Sequence, residues 1–191
     1  AWLSLDEGDN DPSRFLAYLI AAFQEIEAHI GEGVLGALYG SQRQKAPIEP
    51  LLATLINQIN ALPDGPYVLV LDDYHLITAQ PIHQALDFLL EHLPLNLHLV
   101  ISTRADPPLH LARLRGRGEL IELHAPDLRF TLDEAAGFLN GVMQLDLTPQ
   151  DVSALTTRTE GWIASLQMAA LSMQRRPSPN RDVSSFVQAF T

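Results

Sequence analysis

The run Tyr67-Val68-Leu69-Val70-Leu71 closes on two adjacent acids, Asp72 and Asp73. A stretch that is β-favouring and apolar at every position reads as a strand buried on both faces, the pattern of parallel sheets covered by helices. Leu97 to Ser102 reads as a second buried strand and leads into Thr103-Arg104-Ala105-Asp106-Pro107-Pro108. Between the two runs, Ile82, Leu86, Leu89, Leu90 and Leu93 recur at helical spacing and stop at Pro94. Strand, helix and strand in this order predict an α/β unit with a parallel sheet.

The flanking segments extend the pattern. Trp2 to Leu5 reads as a short strand, followed by an acidic, solvated loop of Asp6, Glu7, Asp9 and Asp11. Asp11 caps a helix that opens on Pro12 and carries Phe15, Leu16, Leu19, Ile20, Phe23 and Ile26. Residues 31–44 are glycine-rich and predict a loop with a helical turn. A second helix spans Leu51 to Leu62, and a short one lies near Leu109 to Leu114. A further strand is expected at Leu120 to Leu123. Beyond it the texture changes to helices alone. Thr131-Leu132-Asp133-Glu134 is a capping box, Thr148-Pro149 opens a helix, and another begins near Trp162. We therefore expect a truncated α/β domain over residues 1–128 and a small all-α domain over 129–191.

Composition removes several functions. The formal charge of −11 disfavours direct contact with nucleic acid or an anionic membrane, and the absence of cysteine excludes disulfides and thiolate metal sites. No apolar run reaches the length of a membrane span. The histidines form no metal-binding pair at helical spacing. His75 adjoins the acid pair, as a site contact or a structural hydrogen-bonding group. Arg113, Arg115 and Arg117 form a small basic cluster, read by default as a solvated helix end.

Ligands in open α/β sheets lie beyond the carboxyl ends of the strands. Four apolar residues ending in Asp72 match the Walker B pattern, in which the acid serves Mg²⁺ and a second acid can polarise water. The same pattern also starts ordinary turns. Arg104, at the tip of the next strand, has the fork geometry to meet a terminal phosphate, or is a surface residue paired with Asp106. No Gly-x-x-x-x-Gly-Lys-Ser/Thr loop is present. Gly31 and Gly36 have the spacing, but Ala37-Leu38 follow, and Lys45 is the single lysine.

Five ordered segments carry a resemblance. They are Trp2 to Pro12, Leu69-Val70-Leu71-Asp72-Asp73-Tyr74-His75, Ser102 to Pro108, Asp127-Leu128-Arg129-Phe130-Thr131, and Glu160-Gly161-Trp162-Ile163-Ala164-Ser165-Leu166-Gln167. Together they resemble the MalT-type family of ATP-dependent transcriptional activators, within the STAND class of NTPases and bearing a LuxR-type DNA-binding domain. The resemblance implies a P-loop-NTPase-like parallel sheet that lacks its first strand and P-loop here. It implies Asp72 as the magnesium acid, Asp73 as the catalytic acid that orients water, and Arg104 as the sensor of the terminal phosphate. Gly161 and Trp162 fall where related switches place an adenine-side turn, though without its proline; packing between domains is the alternative. ATP or ADP with Mg²⁺ is the implied cofactor of the intact protein, and none is expected to bind this chain tightly. The implied partners are a second copy, an inducer acting through a missing C-terminal region, and DNA through a missing helix-turn-helix, all in the cytoplasm. A P-loop upstream of Ala1 and a winged-helix region completed after Thr191 belong to the same expectation. The competing function is an interaction module that keeps the fold and has lost the site.

Overall fold

The computed structural model describes residues 1–40, 48–63 and 65–175. The chain divides into two compact units, Ala1–Arg117 and Gly118–Thr191. The segment 118–128, assigned by its sequence to the first domain, goes with the second unit.

The first unit is built on three parallel strands, β1 (Trp2–Ser4), β2 (Tyr67–Asp72) and β3 (Leu97–Ile101), in spatial order β1-β2-β3. Trp2 stands beside Val70, and Val70 beside Val100. Four helices accompany the sheet: α1 (Pro12–Gln24), α2 (Glu32–Gly40), α3 (Ile48–Asn60) and α4 (Gln80–Glu91), with the short α5 (Ala112–Arg117) following β3. Phe15, Leu19 and Phe23 of α1, Leu52, Leu55 and Ile59 of α3, and Ile82, Leu86 and Leu89 of α4 form one core with Leu69 and Leu71. The helix starts follow the expected chemistry: the Asp11 carboxylate accepts the amides of Ser13 and Arg14, each at 2.9 Å, with Pro12 in the first turn.

Three expectations are corrected. First, β2 is not buried on both faces. Leu69 and Leu71 are fully buried, but Val68 is 42% exposed, and on the flanking strands Trp2 is 64% and Val100 47% exposed. The core lies against the Leu69–Leu71 face, and Trp2, Val68 and Val100 on the other face are exposed. Second, residues 120–123 form no strand, and Ile121 and Leu123 are exposed. β-favouring side chains alone do not make a strand without a neighbour to pair with, and β3 ends the described sheet. Third, the glycine-rich stretch forms α2 rather than a loop. Val34 is buried in the core, with Leu35 and Leu38 packed against it. Tertiary burial outweighs the glycine penalty there. Residues 41–44 and Lys45 lie outside the described residues.

The acidic loop after β1 is also more ordered than a solvated one. Asp9 is 2% exposed, and its carboxylate meets the Arg14 Nε at 2.9 Å and the Asp6 amide at 2.8 Å. Asn10 then clamps this turn to the segment after β2. Its Oδ1 accepts the amides of Thr78 and Ala79 at 2.7 and 2.9 Å, and its Nδ2 donates to the carbonyl of Leu76 at 2.9 Å.

In the second unit, α6 (Leu132–Ala136) starts on the Thr131–Glu134 box and runs into a π-helical segment, Gly137–Val142. α7 (Pro149–Thr159) starts on a second box, Thr148–Asp151, and α8 (Ile163–Gln174) follows. Leu139, Leu147, Val152, Leu155, Leu166 and Ala169 form the core of this unit. Asn140 seals the turn into α7 by accepting the Leu147 amide at 2.7 Å and donating to the Leu147 carbonyl at 3.0 Å.

Candidate functional site

The parallel register brings the three strand ends to one rim. The Leu5 amide donates to the Asp72 carbonyl at 3.0 Å, and the Ser102 amide to the Leu71 carbonyl at 2.9 Å. The Tyr74 amide returns to the Ser102 carbonyl at 2.9 Å. The segments carrying Asp72 and Asp73 and the segment carrying Arg104 are therefore laced together at the carboxyl edge of the sheet.

Asp72 is the last residue of β2 and is half-buried. Its Oδ1 accepts the amide of Asp73 at 3.1 Å. Asp73 leaves the strand with φ 58° and ψ 35°. That left-handed conformation costs most L-residues energy, and Asp tolerates it better than most. Strand pleat therefore does not set the direction of Asp73; this corner does. Its Oδ1 lies 3.8 Å from the Nδ1 of His75, an atom with no hydrogen-bond partner among the described residues. Arg104 is exposed, and among the described residues no carboxylate pairs with it, Asp106 included. Thr103 Oγ1 donates to the Ala105 carbonyl at 2.7 Å and shapes the turn around it.

Behind the rim lies a buried polar pair that the sequence reading missed. The Tyr74 hydroxyl and the His83 Nδ1 are 2.7 Å apart, with the rings edge to face. Burial, with the nearby Asp87 carboxylate, pushes the Tyr74 phenol far above its usual value. Burial lowers the His83 pKa from 6.5, against the opposing pull of Asp87. His83 therefore takes up its proton at a lower pH in the fold than in the unfolded chain, where it does so near pH 6.5. The unfolded state then binds more protons, so stability falls as pH drops through that value toward the lower folded pKa. Chemical unfolding between pH 7.5 and 5 is expected to show this loss, and His83→Gln to flatten it.

No group of three or more metal-ligating side chains occurs among the described residues. The rim is still compatible with magnesium, which commonly takes one or two carboxylates and completes its shell with phosphate and water. Asp72 supplies a hard oxygen of that kind.

The other sequence-derived residues lie in the second unit. Glu160 (φ 51°) ends α7 and Gly161 (φ 74°) continues the left-handed turn. The Phe130 amide donates to the Gly161 carbonyl at 2.8 Å. Trp162 is the N-cap residue of α8 and is 38% exposed. The Arg129 guanidinium lies 5.9 Å from its ring centroid and pairs with Glu160 at 3.1 Å. The Asp127–Thr131 and Glu160–Gln167 segments thus meet in space. Arg113 of the basic cluster pairs with Glu91 at 3.2 Å.

No protein-family model matches the chain. Among curated proteins it is similar to the HTH-type transcriptional regulator MalT of Yersinia enterocolitica and to that of Serratia proteamaculans. Each is 41% identical over 177 residues, covering 93% of this chain and 19% of the relative. The MalT regulator of Cronobacter sakazakii is 40% identical over 174 residues, 91% of this chain. The chain thus spans about a fifth of the length of the curated relatives it matches.

Proposed function

The chain has the sequence of a MalT-type segment along 93% of its length, and on that footing we propose that it is the nucleotide-responsive part of a larger transcriptional regulator. One observation supports the reading above others. Hydrogen bonds through Ser102 lace the Asp72–Asp73 corner to the base of the Arg104 loop at the sheet edge where α/β folds bind ligands. Asp72 would hold Mg²⁺ beside the phosphates, and Asp73 would orient the attacking water. Arg104, exposed and without a described carboxylate partner, would meet the terminal phosphate and so separate ATP from ADP. Magnesium, when bound, neutralises phosphate charge. This sequence has no P-loop, so the cradle for the phosphates would come from residues outside it. The chain alone is then not an ATPase.

In the intact protein, exchange of ADP for ATP would shift the two units between states and expose a surface for self-association. Gly161 and Trp162 would serve the interdomain side of that change. DNA binding would fall to a helix-turn-helix elsewhere and inducer sensing to a further region, in the cytoplasm. A second reading, an interaction module, draws on the exposed sheet face of Trp2, Val68 and Val100.

Calorimetry separates the two. Mg-ATP and Mg-ADP are titrated into a form extended by about 40–60 residues at its N-terminus, room for a strand and phosphate loop. Arg104→Ala is expected to weaken ATP by about ten- to a hundredfold, the worth of charge-assisted hydrogen bonds, and ADP much less. Equal weakening of both removes the sensor role. No binding by the extended form leaves the interaction module.

A further inference from the structure

Arg104 lies on the loop 102–110, and its working position depends on what holds that loop. One end is fixed to the sheet at Ser102. The other end is held by α4. The Asp87 carboxylate accepts the His110 amide through Oδ1 at 2.8 Å and meets the His110 ring Nδ1 through Oδ2 at 2.6 Å. The Asp87 side chain is only 16% exposed, whereas that of His110 is 90% exposed. The carboxylate is therefore the fixed member of the pair. Between the two anchors, Pro107 and Pro108 restrict the backbone and Leu109 packs against the core.

The same helix holds the opposite side of the rim. His83 stands one helical turn before Asp87, on the same face, and contacts Tyr74, the residue after Asp73. One rigid element thus fixes the acid corner through His83 and the arginine loop through Asp87.

We propose that Asp87 is a positioning residue for Arg104, presetting the loop so that ATP does not have to order it on binding. This role rests on the nucleotide reading above. Ordering a loop on binding subtracts from affinity, and prior anchoring removes that cost. Loss of the anchor is therefore expected to fall on the ligand that Arg104 senses.

Hydrogen exchange on this chain and nucleotide titration of the extended form test it together. In Asp87→Ala, the His110 amide is expected to exchange at least about tenfold faster, as a lost hydrogen bond of about 1.4 kcal/mol implies. The Ser102 amide, bonded to the sheet, is expected to hold its rate. The ATP-over-ADP preference is expected to fall by about tenfold, with ADP affinity nearly unchanged. Asp87→Asn keeps an acceptor for the His110 amide and is expected to restore most of both; it also serves if the alanine variant fails to fold. Unchanged exchange over residues 103–110 overturns the proposal. So does an unchanged preference where Arg104→Ala abolishes it. If Arg104→Ala itself leaves the preference intact, the sensor reading fails and this role falls with it. The exchange rates show separately whether the anchor exists.

Discussion

Gly161→Ala is expected to destabilise the helical unit by about 3 kcal/mol or more, and Gly137→Ala to be neutral or mildly stabilising. The difference is local geometry. Gly161 has φ 74°, and a Cβ there would lie 2.7 Å from the Phe130 carbonyl oxygen and 3.2 Å from its amide nitrogen. Both are backbone atoms, and that amide already donates to the Gly161 carbonyl at 2.8 Å. Relief therefore requires the two segments to separate, which breaks their hydrogen bond and draws Arg129 from Trp162. Gly137 has φ −59° and ψ −42°, and a Cβ there meets nothing within 4 Å. Alanine at that site limits the unfolded chain more than the folded one. Urea unfolding of both variants, followed by Trp162 fluorescence with Trp2 replaced by phenylalanine, checks the contrast. Equal effects at the two sites contradict the close approach of the two segments.

Leu71→Ala is expected to cost about 3–5 kcal/mol, and Val100→Ala less than about 1 kcal/mol. Leu71 is fully enclosed by the core of the first unit, whereas Val100 faces outward on the neighbouring strand. Truncating Leu71 leaves a cavity, because helices packed at native density close over it only in part. Truncating Val100 removes surface that water already reaches. Chemical unfolding of the two variants measures the asymmetry. A Val100→Ala cost close to that of Leu71→Ala contradicts one-sided burial of the sheet.

Structure was legible in the sequence where a local rule operates. Asp11 before Pro12, Thr131 with Glu134, and Thr148 before Pro149 announce helix starts because each cap satisfies amides within its own first turn. The strands β1, β2 and β3 were legible as short apolar runs. Whether β2 is covered on both faces was not legible, since that depends on which elements pack on each side. Residues 120–123 failed for the same reason, because strand formation needs a neighbour. α2 failed in the opposite sense: its glycines obscured a helix that burial of Val34 supports.

The acid pair and Arg104 could be picked out as candidates because they follow closely on the apolar runs that form β2 and β3. The residues that hold them could not. Tyr74 and His83 meet across the fold, as do Asp87 and His110 and Asn10 with Thr78. The only signal was the four-residue spacing of His83 and Asp87, which shows a shared helix face and names no partner.

Under the proposed function, the rim of Asp72, Asp73 and the Arg104 loop binds a magnesium nucleotide. Manganese can stand in for magnesium and broadens the resonances of nuclei near it. The decisive measurement is an amide NMR spectrum of the N-terminally extended form with ATP, with and without substoichiometric Mn²⁺. Selective broadening is expected at residues 72–74 and 102–104, abolished by Asp72→Ala. Broadening centred elsewhere, or unaffected by Asp72→Ala, would contradict it.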